Sequence, residues 1–359
     1  MKYTIDKNKR PVYLQIYRQI RKDIIDGIYP LGSKLPSIRL LCDELSTSTV
    51  TVNHAYALLC DEGYAEPRER SGFFVVFRES DGFAAPAEAR TMHSITPERE
   101  HTYPSFPFSV LAKTMRKVLS DYAEALCERS PNAGCTELRE AIKSYLIRNR
   151  GMNVEISQIV IGSGAEYLYG LIIAMLGRRQ VYGIESPSYH KIEQIYRATD
   201  VKYELLPLSH DGIDSSALAK TKARVIHTTP YRSFPTGITA SANKRHEYIR
   251  WSSKSGRIII EDDFESEFSV SSKPEDTLYS LSSYDNVIYM NTFSKTISPA
   301  LRVGYMVLPR HLVSEFEKKL GFYFCTVPTF EQLVIAELIN SGNFERHINR
   351  VRRNLRKAH

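Results

Sequence analysis

The run Asn291-Thr292-Phe293-Ser294-Lys295-Thr296-Ile297-Ser298-Pro299-Ala300-Leu301-Arg302-Val303-Gly304-Tyr305 carries the densest chemistry in the chain. It follows a short apolar segment, Asn286 to Met290, whose composition predicts a buried strand. Lys295 therefore stands at the mouth of a strand, with the hydroxyls of Thr292 and Ser294 just before it and Arg302 seven residues after it. A single serine–lysine pair in a loop would read as solvated surface. The combination suits a phosphorylated aldehyde cofactor: the amine forms a Schiff base, while Thr292, Ser294 and the planar Arg302 fork hold the phosphate.

Working outward, 359 residues allow two domains and a large core, and 42% apolar with 25% charged residues exclude wholesale disorder. No apolar run reaches membrane-spanning length, and Met1-Lys2-Tyr3-Thr4 lacks the apolar core of a signal peptide. The five cysteines at 42, 60, 127, 135 and 325 are odd in number and contain no Cys-x-x-Cys pair. They predict neither a disulfide framework nor a zinc site. The expectation is a cytoplasmic protein without metal and without membrane contact. The net charge of +7 is uneven, since residues 345–359 hold six Lys/Arg against one Glu and predict a basic terminal helix.

In the first eighty residues, Val12, Ile16, Ile20 and Ile24 recur at helical spacing and predict a helix ending near Gly27. The turn Gly32 to Ser37 leads into a second helix, Ile38 to Leu45, with Ser37 as N-cap. After Ser46-Thr47 a third helix is expected from about Thr49 to Glu62, burying Val52, Ala55, Tyr56 and Leu59. Tyr64 to Pro67 and Phe73 to Phe77 read as two strands around a charged turn. This order predicts a winged helix-turn-helix over residues 8–79. Ser80 to Thr102, with Gly82, Pro86 and no periodicity, reads as a linker.

From Tyr103 to His359, apolar runs alternate with amphipathic segments. Ile156–Ile161, Val181–Ile184, Val201–Leu206, Val225–Thr228, Ile258–Glu261 and Val287–Met290 are the expected strands of a mostly parallel sheet with helices on both faces. Ligand chemistry in such α/β folds gathers where strands end. Ser163, Gly164 and Ala165 follow one strand and open a helix, so their amides could cradle a phosphate. Glu261-Asp262-Asp263 ends another, where a buried carboxylate would keep a pyridine nitrogen protonated.

The lysine run resembles the cofactor segment of fold-type I pyridoxal-phosphate proteins, and its wording is similar to that of MocR/GabR regulators of the GntR family. In the first domain, Leu35-Pro36-Ser37-Ile38-Arg39, Ser48 to Val52, Ala55-Tyr56 and Glu62-Gly63-Tyr64 resemble GntR-type DNA-binding domains. The resemblance implies contact with double-stranded DNA, as a pair of operator half-sites, by Arg39, Ser48, Thr49 and Thr51, with the wing at Arg68 to Gly72. Thr49 replaces an arginine common in relatives.

In the large domain the resemblance implies pyridoxal 5'-phosphate on Lys295, Tyr189 as its stacking ring and Asp262, ahead of Asp263, at its pyridine nitrogen. It also marks departures: Phe234 for an asparagine, Phe264 for a tyrosine and Lys191 for an arginine. A small C-terminal domain with an effector-gripping arginine is implied beyond His359. The expected function is a homodimeric transcriptional regulator that senses an amino compound or the cofactor itself. The alternatives are a working aminotransferase with a DNA-binding head and a shortened regulator that loads no cofactor.

Overall fold

The computed structural model describes residues 3–6, 11–68, 71–77, 105–254, 256–270 and 276–358. The chain separates into two compact units, Met1–Glu98 and Arg99–His359. The expected linker from Ser80 to Thr102 lies outside the described residues.

The first unit runs α1 (Val12–Ile25), α2 (Ile38–Leu45), α3 (Thr49–Asp61), β1 (Ala65–Arg68) and β2 (Gly72–Val75). Its core joins Ile16, Tyr17, Ile20 and Ile24 of α1 to Val52, Ala55, Tyr56 and Leu59 of α3, as the helical spacing requires. Ser37 caps α2 by accepting from the Leu40 amide at 3.2 Å, and Ser46 in the left-handed region ends it. The hairpin β1–β2 is antiparallel, and an isolated bridge from Lys34 to Phe74 ties the turn before α2 onto it.

The second unit is built on an eight-stranded sheet. Its strands are β3 (Ile159–Gly162), β4 (Val181–Ser186), β5 (Lys202–Ser209), β6 (Gly212–Ile213), β7 (Val225–Thr228), β8 (Ile258–Asp262), β9 (Val287–Thr292) and β10 (Gly304–Val307). Their spatial order is β3-β10-β9-β8-β7-β4-β5-β6. The β5–β4–β7–β8–β9 ladders are parallel, whereas β10 runs antiparallel to both β9 and β3.

Two expectations are corrected. Ile156–Gln158 is a 3-10 turn, closed by the reciprocal bonds of Glu155 and Gln158, so the strand begins only at Ile159. The strand Gly304–Val307, at the end of the lysine run, was not expected.

The helices are α4 (Phe108–Tyr122), α5 (Thr136–Arg150), α6 (Ala165–Leu176), α7 (His190–Ala198), α8 (Ser215–Lys220), α9 (Ala242–Ser252), α10 (Leu278–Leu281), α11 (Arg310–Leu320), α12 (Thr329–Asn340) and α13 (Asn343–Ala358). Alternate strand residues face alternate layers. Ile159, Ile161, Tyr289 and Tyr305 pack with α5, α12 and α13, while Val160, Ile260, Met290 and Met306 pack with α6, α7 and α11. This alternation decides the direction of each side chain at the strand ends.

Candidate functional site

The lysine run leaves the sheet at Thr292, which is buried. Phe293 then anchors the chain, its ring 5.7 Å from Tyr305 and 5.6 Å from Phe344. The following turn, closed by Ile297 N–H to Phe293 C=O at 2.9 Å, lifts Ser294 and Lys295 out of the core. The Lys295 side chain is 37% exposed and forms an ion pair with Glu265. Its ammonium also lies 4.3 Å from the centroid of the Phe264 ring. Glu265 was not singled out from the sequence; only the acidic wording after β8 hinted at it.

The strand order brings the glycine-rich turn beside this lysine although some 130 residues separate them in the chain. Gly304 of β10 pairs with Gly162 on one side and Thr292 on the other. A Cβ on Gly162 would meet Leu168 of α6 at 2.7 Å, so glycine there lets α6 start close against the sheet. Gly164 is the residue before α6 and has φ +91, and a Cβ on it would lie 3.2 Å from Arg302 Nη2. The guanidinium thus lies against the backbone of Gly164 at the start of α6, where the Gly164 amide donates to Gly162 C=O at 2.8 Å. Two positive elements, a helix N-terminus and an arginine, converge where an anion would fit.

Glu166 now partners that arginine at 3.3 Å and Lys191 at 2.6 Å, and the Lys191 hydrogen bond holds its carboxyl below the ordinary range. The Ser163 and Thr326 hydroxyls are 3.0 Å apart.

Asp262 ends β8 on the face that Ile258 and Ile260 turn toward α6. It is buried, accepts a hydrogen bond from Tyr169 of α6 and has His227 Nε2 at 3.6 Å. The other nitrogen of His227 meets the Tyr196 hydroxyl at 3.1 Å. Burial and the neighbouring carboxylate push the Tyr169 hydroxyl far above its ordinary pKa, so it stays a donor.

Asp263 points to the opposite face, where Arg150 at 3.3 Å and the Tyr289 hydroxyl at 2.8 Å engage it. Sequence reasoning missed Tyr169 and His227. The signal for Tyr169 was its place one turn into α6, and for His227 its place as the basic ring of a buried strand. Tyr189 follows β4 and faces Phe234 edge-on with 6.2 Å between centroids.

In the first unit, the Tyr56 hydroxyl of α3 donates to Pro36 C=O at 2.6 Å and fixes the turn that presents Arg39. Arg39 and Thr49 are exposed at the starts of α2 and α3. Ser48 accepts from the Thr51 amide at 3.2 Å, and the two hydroxyls are 2.8 Å apart, so both serve the cap. Val50, 76% exposed, stands beside them. Arg68 stacks over Phe74 at 4.4 Å and pairs with Glu66 at 2.9 Å. Gly72 opens β2 with φ +103. Glu69 and Arg70 of the expected wing lie outside the described residues.

Among the described residues no three His, Cys, Asp or Glu side chains are grouped to hold a metal ion. No helix among them is long and apolar enough to cross a membrane.

Comparison with known proteins divides the chain in the same way. Residues 12–75 match the bacterial regulatory proteins of the gntR family, and residues 103–359 match aminotransferase class I and II. The HTH-type transcriptional regulator YdeL of Bacillus subtilis is 33% identical, over 97% of this chain and 77% of its own length. The regulatory protein MocR of Rhizobium meliloti is 28% identical, over 96% of this chain and 74% of its own. Among solved structures, the α-aminoadipate aminotransferase LysN from Thermus thermophilus, complexed with N-(5'-phosphopyridoxyl)-L-leucine, superposes with a TM-score of 0.63 at 25% identity. That likeness covers 71% of this chain and 67% of LysN.

Proposed function

The chain belongs to the MocR-type HTH transcriptional regulators, which join a gntR-family domain to a class I and II aminotransferase domain, and from that membership we propose a regulator that senses an amino compound through pyridoxal phosphate held on Lys295. The observation that carries the reading is the convergence of Lys295, the Arg302–Gly164 cradle and buried Asp262 at neighbouring strand ends. Those donors fit the group: an amine for its carbonyl, cationic and amide donors for its phosphate, and a carboxylate for its ring nitrogen.

When bound, pyridoxal phosphate supplies an electrophilic carbonyl carbon that primary amines attack. Lys295 is the resident amine. Lys295 would engage that carbonyl and would be released as a free amine when an effector amine takes its place. Arg302 and the start of α6 would hold the phosphate. Asp262, held by the Tyr169 hydroxyl, would face the ring nitrogen.

Tyr189 forms one wall. Phe234 and Phe264 carry no hydrogen-bonding group, so the orientation that rapid proton transfer demands is missing, and turnover to a keto acid is slow or absent.

The first unit meets DNA through Arg39 and Thr49, with Ser48 and Thr51 shaping the helix start and Arg68 and Gly72 the wing. The protein acts in the cytoplasm as a homodimer on paired half-sites. Ligand exchange alters DNA affinity by favouring one of two states of the regulator.

The experiment is a DNA-binding titration of the cofactor-loaded protein with and without a panel of amino compounds. At least one amine should change both the visible absorption and the DNA affinity. A spectrum that responds while DNA affinity stays fixed for every responding amine would refute the sensor reading.

A further inference from the structure

Helix α3, Thr49–Asp61, contains no lysine and no arginine. Its inner face is spent on the core through Val52, Ala55, Tyr56 and Leu59. The outer face at its start is Thr49, Val50, Asn53 and His54, all exposed. His54 is turned back, its ring stacked on Tyr13 of α1 with 3.9 Å between centroids. Two side chains then stand out. Val50 is 76% exposed, and the Asn53 side-chain amide has no hydrogen-bond partner among the described residues.

A single exposed valine is ordinary on any surface. Here its surroundings give it a use. In the major groove a guanine is read most often by a lysine or arginine on O6 and N7, and α3 has neither. An asparagine matches adenine instead: its Nδ2–H donates to N7 while its Oδ1 accepts from the N6 amino group. The methyls of a valine match the C5-methyl of thymine, the one methyl that the groove presents.

Val50 and Asn53 are three residues apart, so they share a face and lie about 4.5 Å apart along the helix axis. A base pair takes up about 3.4 Å of the duplex, so the two side chains reach the same or neighbouring pairs. Thr49, on that face as well, can meet a phosphate or any base edge and adds no discrimination.

We propose that α3 reads A·T pairs: Val50 packs on the methyl of a thymine, and Asn53 brackets an adenine at the same or the next pair. The half-site this chain selects then has A·T where α3 enters the major groove, and any guanine it requires is read from outside α3. This rests on the reading of α3 as the helix that meets DNA.

The test uses the full chain and a library of randomised DNA duplexes, enriched by repeated binding and sequenced. In the enriched duplex each thymine is replaced in turn by deoxyuridine, which lacks only the C5-methyl. Each adenine is replaced by 7-deazaadenine, which lacks only the N7 acceptor. Fluorescence anisotropy reads the affinities. At least one deoxyuridine and one 7-deazaadenine, on the same or neighbouring pairs, should each weaken wild-type binding by about threefold or more. V50S should lose the response to deoxyuridine and N53A the response to 7-deazaadenine, with thermal unfolding unchanged in both. The analogue scan of the wild-type chain decides the matter should either variant fail to fold.

An enriched site in which no thymine methyl or no adenine N7 matters overturns the proposal while leaving DNA binding in place. Folded variants that keep the wild-type response to both analogues do the same, as does a chain that binds every duplex alike. A chain that binds no duplex of the library overturns the reading of the first unit and this inference with it.

Discussion

Lys295 and Arg302 are close in sequence, yet the proposed function gives them separate work, one at a carbonyl carbon and one at a phosphate. That division is proposed from the sequence, because a lysine at a strand mouth and an arginine fork seven residues on have few other joint uses. The partners were not. Tyr169 reaches Asp262 across 93 positions and Glu265 reaches Lys295 across 30, and no local spacing encodes either contact.

The choice between Asp262 and Asp263 now has a physical argument. Alternation along β8 turns Asp262 to the α6 face and leaves Asp263 to Arg150. Arg302→Ala is predicted to weaken pyridoxal phosphate binding by about 1.5–3 kcal/mol, the value of a charge-assisted contact, as measured by equilibrium titration. Asp262→Asn should speed cofactor loss on dialysis. Unaltered retention in that variant would transfer the role elsewhere.

Elements tell a second story, about which hydroxyls are structural. The sequence marked Ser48, Thr49 and Thr51 alike as DNA contacts; Ser48 and Thr51 also close on each other to cap α3, and Ser48, Thr49 and Arg39 are all exposed. Ser48→Ala should therefore cost the first unit about 1 kcal/mol of stability, seen in its thermal unfolding. Arg39→Ala should leave unfolding unchanged and weaken operator DNA by about 1–3 kcal/mol across a salt titration. If instead Arg39→Ala destabilises the unit and spares DNA, the turn before α2 is a folding element only.

The bounds of α2 were readable because Ser37 supplies a cap at one end and the apolar pattern stops at Leu45. The strand expected at Ile156 failed because Glu155 and Gln158 satisfy each other's backbone and make a turn first. The strand Gly304–Val307 was hidden because four residues beside a glycine carry too little periodicity to separate from the preceding loop.

On the scale of the whole molecule, the sequence supplied strands and their parallel character but not their order. That order is what places Gly162, Gly304 and Thr292 side by side and so assembles the site.

The large unit also buries carboxyls beneath that site, and burial raises Glu185 to about 7 and Glu261 to about 8. The folded state then keeps protons that the unfolded chain releases near 4.5. Stability should accordingly fall as pH rises from about 4.5 to about 8, by a few kcal/mol in all, and Glu185→Gln should flatten the lower part of that slope. Denaturant unfolding of the large unit at several pH values checks it, and a slope of opposite sign would show these groups to be ionised when buried.

The central claim, a regulator whose large unit holds pyridoxal phosphate on one lysine, is tested most directly by borohydride reduction of the loaded protein followed by peptide mass mapping. The account predicts a single modified site, Lys295, with no adduct in Lys295→Ala. An adduct on another lysine, or none in the wild-type chain, would contradict it.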